Sequence, residues 1–259
     1  MKLKKILLRA DDLGYSEAIN YGIEKAVKEG LIRSVGVMVN MPATEHGVHL
    51  LKDESIAFGQ HTNFCAGQPI SDPKLIPSLV DGKGMFKTSS VYRKAEKDFV
   101  HYDEALIEIE AQYHRFLDLF NKKPDYFEGH AVASENFFRA LEDFAQEHEL
   151  KYSGLPKGKD PNHLDEDSFV LINQQKVYMT MESMNKGYDP YNTFYKMIEN
   201  QREDGVAMMI FHPGYLDDYI IQHSSLLLPR TKEVTFLTDR EIGNFLIDKE
   251  IDCLDYRDL

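Results

Sequence analysis

Apolar positions along the chain change their period in a regular way. Residues 5 to 10 form a short apolar run. The next segment switches to helical spacing, with Ile19, Ile23, Ala26 and Val27 on one face, Ser16 placed as an N-cap and Gly30 as a C-terminal stop. The run "SVGVMVN" predicts a second strand ending at Asn40, with a helix after Pro42, and "IAFGQH" a third strand ending at His61. From Thr62 to Ser90 the period gives way to Gly, Pro, Asp and Ser. That predicts a long loop, either a segment covering a binding rim or a static structural loop. Leu106, Ile109, Tyr113, Phe116, Leu117 and Phe120 restore the helical period, "PDYFEGH" reads as a strand ending at His130, and Phe137, Leu141, Phe144 and Ala145 mark another helix. Residues 151 to 200 are less regular, with a strand or hairpin around "FVLINQQKVYMT" and a helix near "YNTFYKMIEN". "VAMMIFHPG" is a late strand ending at His212, "TDREIGNFLIDKE" a capped helix and "IDCLDY" a last strand.

Strands alternating with helices predict an α/β fold with parallel strands, and 259 residues suffice for a single barrel. Composition narrows the function classes. A net charge of −13 argues against a nucleic-acid partner, which needs clustered Lys and Arg. No apolar run is long enough to span a bilayer, so no membrane partner is expected. The opening "MKLKKILLRADD" is too short in its apolar part for a signal peptide and runs into aspartates, so a cytoplasmic protein is expected. Cys65 and Cys253 read as free, partly buried thiols.

The strand ends carry the chemistry. Asp11 and Asp12, Asn40, His61, His130 and His212 all follow apolar runs, and in parallel α/β folds those ends converge on one face. One carboxylate and two histidines make a ligand set that leaves positions open for water and substrate. A second carboxylate beside it suits a general base, and a further histidine suits a general acid or an oxyanion partner. Each residue has a plainer reading: an acidic pair caps helices, a lone histidine packs, and Pro213-Gly214 is good turn chemistry. Coincidence at four strand ends favours the functional one. His46, His49, His101, His114, His148 and His163 lack such placement and are assigned to the surface or to packing.

At these residues the chain resembles the YdjC-like carbohydrate deacetylases, which include the chitooligosaccharide deacetylases. The resemblance rests on "RADDLGYSEAINYGIEKAVKEGLIRSVGVMVNMPATEHGVHL", "FGQHTNFCAGQPI", "IPSLVDGKGMF", "PDYFEGH" and "MMIFHPGYLDD". It runs nearly end to end as one domain, 1–259, with 151–200 least matched. It implies a distorted (β/α) TIM-like barrel of the glycoside hydrolase/deacetylase type, a divalent metal, and removal of acetyl groups from N-acetylated sugars. Carried over by position, Asp12, His61 and His130 are the metal ligands, Asp11 the general base, and His212 the general acid or oxyanion partner. The resemblance points to magnesium, whereas two histidines and a carboxylate suit zinc. The family's third block usually carries alternating histidines, but "GHAVASEN" has Val132 and Ser134 at the next alternate positions.

That departure leaves the substrate open and keeps alive a sugar-binding protein with little turnover. A metal-dependent phospho-disaccharide glycoside hydrolase is the other alternative, though adjacent Asp11 and Asp12 suit it poorly. Arg230 is a candidate to meet an anionic group on a substrate, or an ordinary surface arginine. Tyr215, beside His212, is a candidate to contact sugar or simply to pack. A homodimer is the prior for a soluble enzyme of this kind.

Overall fold

The computed structural model describes residues 4–156, 168–182, 184–185 and 187–259; His163 lies outside them. Strand and helix alternate in the order β1 (Lys5–Leu13), α1 (Glu17–Lys28), β2 (Ser34–Val37), α2 (Thr44–Leu51), β3 (Ala57–Asn63), α3 (Ser89–Lys94), α4 (Tyr102–Phe120), β4 (Tyr126–His130), α5 (Glu135–Glu147), β5 (Phe169–Ile172), β6 (Gln175–Thr180), α6 (Pro190–Glu199), β7 (Gly205–Phe211), α7 (Asp218–His223), α8 (Leu228–Leu237), α9 (Arg240–Asp248) and β8 (Asp252–Leu254). One curled sheet of eight strands forms a partial barrel in the order β4-β3-β2-β1-β7-β6-β5, with β8 also on β1. Every ladder is parallel except the hairpin β5–β6, so the expected α/β barrel type holds and the hairpin in 169–180 is present.

Strand alternation sorts β1 between two cores. Ile6, Leu8 and Ala10 pack outward with Ile19, Ile23 and Phe236, while Leu7 faces inward with Tyr126, Met208, Ile210 and Tyr256. A third cluster joins α4 and α5 to Phe64, Ile76, Leu79 and Phe86. This third cluster decides the nature of the 62–90 segment. Glu108 of α4 accepts from the Ile70 and Ser71 backbone N–H groups, each at 3.0 Å, and Gln112 bonds both backbone groups of Asn63. These bonds tie the segment to α4, which favours the structural-loop reading.

Strand ends differ from expectation in places, and β3 runs two residues past His61 to Asn63. β2 stops at Val37, so Asn40 lies in the following turn. There its amide donates to the backbone oxygens of Ala66 and Gln68 and its oxygen accepts from Asn63, which ties two loops together. β1 does not stop at the aspartates but runs through them to Leu13. The short helices α3, α7 and α8 carry no clear apolar period and were not anticipated. Among the described residues no helix is long and apolar enough to cross a membrane.

Candidate metal centre and active site

β1 brings two consecutive carboxylates to one place by breaking its own regularity. Between Ala10 and Leu13 its register against β2 slips by one residue, a β-bulge, and Asp12 sits at φ 78°. In a flat strand consecutive side chains point to opposite faces. The bulge turns Asp12 back toward the side Asp11 already occupies. A left-handed backbone at a non-glycine residue costs on the order of 1–3 kcal/mol and persists where the surroundings over-determine it. Gly36 of β2 makes room opposite: a Cβ there would stand 2.6 Å from Asp11 Oδ1.

The register of β3 and β4 sets the histidines. His61 pairs with Glu128 and Asn63 with His130, so Glu128 and His130, two apart on β4, flank His61 on one face. His61 Nδ1 meets Glu128 Oε1, and its Nε2 lies 2.8 Å from His130 Nδ1. Asp12 Oδ1 stands 3.3 Å from each of those two ring nitrogens and has no hydrogen-bond partner, although it is buried. Three donors about 2.0–2.2 Å from a common cation lie roughly 3 Å apart, so this triangle fits a divalent ion. An orphaned buried carboxylate oxygen facing two imidazoles is the arrangement such an ion relieves. With an ion in that triangle, Glu128 would be the carboxylate that fixes the tautomer and ring orientation of His61.

The other oxygens are held in place. Asp12 Oδ2 accepts from Arg230 at 2.7 Å, and Asp11 Oδ2 accepts from Arg9 at 2.7 Å. Asp11 Oδ1 is buried without a partner. Burial alone would raise the Asp12 carboxyl, but the Arg230 charge and the adjacent His130 and His61 rings hold it well below the usual carboxylate range. Burial alone would lower both imidazoles. The charges of Glu128 and Asp11 instead raise His61 well above its ordinary value, and Cys65 and Asp12 raise His130 to about 9. His212 follows the end of β7. Burial pushes it down to about 4 against the opposing charges of Asp12 and Asp11, so its ring is neutral, and Nδ1 has no partner.

Asp11, His61, His130 and His212 line one cleft of about 290 Å³, whose far wall includes Tyr152, Leu155, Met179 and Met181. The weakly matched 151–200 region thus supplies a wall of the site, while the 62–90 loop does not line it. A larger cleft of about 780 Å³ shares Ala133, Phe138, Tyr152 and Leu155 with the first. Arg230 is neither on the surface nor free. It is 2% exposed, and its nitrogens donate to Asp12, to the His212 carbonyl at 3.2 Å and to the Leu226 carbonyl at 3.0 Å. Tyr215 is exposed, donates its backbone N–H to the Ala18 carbonyl and does not line the cleft. Gly214 is more than a turn residue, since a Cβ there would meet Ile19 Cδ1 at 2.3 Å. Val132 is buried in the α4–α5 cluster, and Ser134 caps α5 by accepting from the Phe137 N–H while donating to Asp98. Cys65 is buried, Cys253 is exposed, and both are free thiols. Sequence reasoning missed Glu128, whose role depends on strand register, and Arg9, which reaches Asp11 two residues along the same strand.

Residues 5–248 match the model of the YdjC-like protein family. A carbohydrate deacetylase of Clostridium beijerinckii is 30% identical over 258 residues, covering 98% of this chain and 100% of the relative. An Enterococcus faecalis protein of known crystal structure superposes with a TM-score of 0.81 at 20% identity, covering 99% of this chain and 98% of that one. A family 4 acetyl xylan esterase of Clostridium thermocellum, solved with a cobalt ion, shares the fold at a TM-score of 0.52 and 11% identity, over 98% of this chain and 89% of that one. With the family model and a full-length relative agreeing across nearly every residue, the chain belongs to the YdjC-like family.

Proposed function

We propose that this chain is a carbohydrate deacetylase, a metal-dependent hydrolase that removes an acetyl group from an N-acetylated di- or oligosaccharide. The observation that carries the reading is the triangle of Asp12 Oδ1, His61 Nε2 and His130 Nδ1 beside the unpaired Asp11 Oδ1 at the head of a cleft. The full-length relative named carbohydrate deacetylase supports the same chemistry. The second cleft joined to the first supports a substrate of more than one sugar ring.

Asp12, His61 and His130 would hold the cation. When bound, it lowers the pKa of water and polarises a carbonyl oxygen. Asp11, oriented by Arg9, offers Oδ1 to take a proton from the water that attacks the acetyl carbon. The neutral His212 ring presents an N–H to the oxygen that gains negative charge, and the bond to the sugar nitrogen then breaks as that nitrogen takes up the proton gained by Asp11. Arg9 and Glu128 hold Asp11 and His61 in place.

The test is acetate release from phosphorylated and unphosphorylated N,N′-diacetylchitobiose, with magnesium or zinc and with chelator. Metal-dependent acetate is the expected result. Free monosaccharide without acetate would move the reading to a glycoside hydrolase, and binding without turnover to a sugar-binding protein.

A further inference from the structure

The ladder between β1 and β7 ends at Ala10 opposite Phe211. Beyond that point the bulge in β1 turns the chain away, so the peptide groups of His212 have no strand to pair with. Buried backbone groups are rarely left unpaired. Here α8 supplies both partners. Glu233 Oε2 accepts from the His212 N–H at 2.6 Å, and Arg230 Nη1 donates to the His212 carbonyl at 3.2 Å. The two side chains are one turn apart on the inward face of α8 and make no ion pair with each other among the described contacts. Each instead reaches a different end of the same residue. Arg230 also holds Asp12 Oδ2, and the Tyr188 hydroxyl donates to Glu233 Oε1 at 2.6 Å. Lys232, between them, donates to the Tyr188 carbonyl at 2.8 Å, which fixes that tyrosine against the helix.

We infer that Glu233 is a positioning residue for His212, acting with Arg230 to hold both of its backbone groups so that α8 sets where the imidazole stands relative to Asp12. The inference rests on the deacetylase reading for what His212 does, not for how it is held. A fully buried carboxylate with two neutral donors is an expensive way to satisfy one N–H. It is understandable where the held residue must not drift. Burial pushes Glu233 up to about 8 despite those two donors and Arg230, in keeping with that cost. Because the clamp grips only the backbone, the ring remains free to face substrate.

The experiment compares wild type, Glu233→Gln, Glu233→Ala and Tyr188→Phe as full chains. It measures kcat and KM for acetate release, Kd for zinc alone, and the His212 amide and ring resonances in histidine-labelled protein, assigned from a His212→Ala spectrum. Above about pH 8, where Glu233 is ionised, the wild-type amide should lie downfield, because its acceptor is then charged. Glu233→Gln keeps an acceptor, so the amide should move upfield while kcat stays within about threefold. Glu233→Ala should broaden the ring resonance and lower kcat by about 10²-fold with KM and zinc affinity within about twofold. Equal loss of kcat and metal affinity in Glu233→Ala, or Glu233→Gln as impaired as Glu233→Ala, would overturn the clamp. If Glu233→Ala does not fold, an unmoved His212 amide in both Glu233→Gln and Tyr188→Phe overturns it. Should wild type release no acetate from any sugar, the deacetylase reading fails, and the resonances still decide how His212 is held.

Discussion

The site has two corners built on different principles. At one, β3 and β4 deliver His61, His130 and Glu128 through strand register alone, so neighbouring residues on one face meet by alternation. At the other, β7 has run out of ladder, and His212 is held from behind by side chains of a helix. Asp12 belongs to both, with Oδ1 toward the imidazoles and Oδ2 on Arg230. The contrast shows that a strand end fixes a ligand cheaply while its pairing lasts, and that a residue past the last pair needs dedicated support.

Cutting the shared residue should have the largest effect. Asp12→Ala should abolish metal binding and lower acetate release by about 10⁴-fold or more, because both corners lose their common member. Asp11→Ala should keep the metal, measured by calorimetry, and lose roughly 10²–10⁴ in rate. The opposite pattern in these two variants would reverse their assigned roles. Next comes the register-built corner alone: Glu128→Gln should weaken metal affinity by about 10–100-fold, since His61 loses its charged orienting partner. An unchanged affinity would make Glu128 a packing residue.

Titration separates the corners further. In the ion-free protein both ligand imidazoles are raised, His130 to about 9, so cation and protons compete for them. Metal affinity should therefore rise with pH through about 9, where His130 gives up its proton, with net proton release per ion bound near neutral pH. Calorimetry in buffers of different ionisation heat reads that release, and an affinity flat with pH contradicts it. The smallest effect lies at the other corner. Glu233 is raised from 4.5 to about 8, so the folded state holds a proton that the unfolded chain gives up. Its contribution to stability is present below the unfolded value and is lost as pH rises through about 8. Wild-type Tm should fall more steeply between about pH 5 and pH 8 than that of Glu233→Gln, and parallel slopes would show that Glu233 does not titrate in this way.

How much could be read beforehand follows the same division. Asp11, Asp12, His61, His130 and His212 stand out because an apolar run stops at a polar side chain, a signal that needs no knowledge of neighbours. Glu128 lies in the same quoted segment as His130, yet its role depends on standing opposite His61, and register across strands 67 residues apart leaves no local mark. α8 was hidden for a physical reason. Its buried face carries Arg230 and Glu233 alongside Val234, Phe236 and Leu237, so the apolar stripe that announces a helix is interrupted by the residues that serve the site. The 62–90 loop is ambiguous for another reason: its composition suits either reading, and the Glu108 and Gln112 side chains that tie it to α4 lie far along the chain.

The left-handed backbone at Asp12 also bears on how the family can drift. Few side chains accept that conformation, and besides glycine the ready ones are Asp and Asn. Chemistry and backbone thus restrict the position independently, and most mutations there would be purged for folding as well as for function. Asp12→Asn, a single-base change, satisfies the backbone but removes the anionic charge and leaves the buried Arg230 without its counter-charge. The bulge and the cleft would survive while the anionic group disappeared. A non-catalytic form therefore lies one base change from this chain along a path that the backbone does not oppose, and the unpaired guanidinium sets its cost.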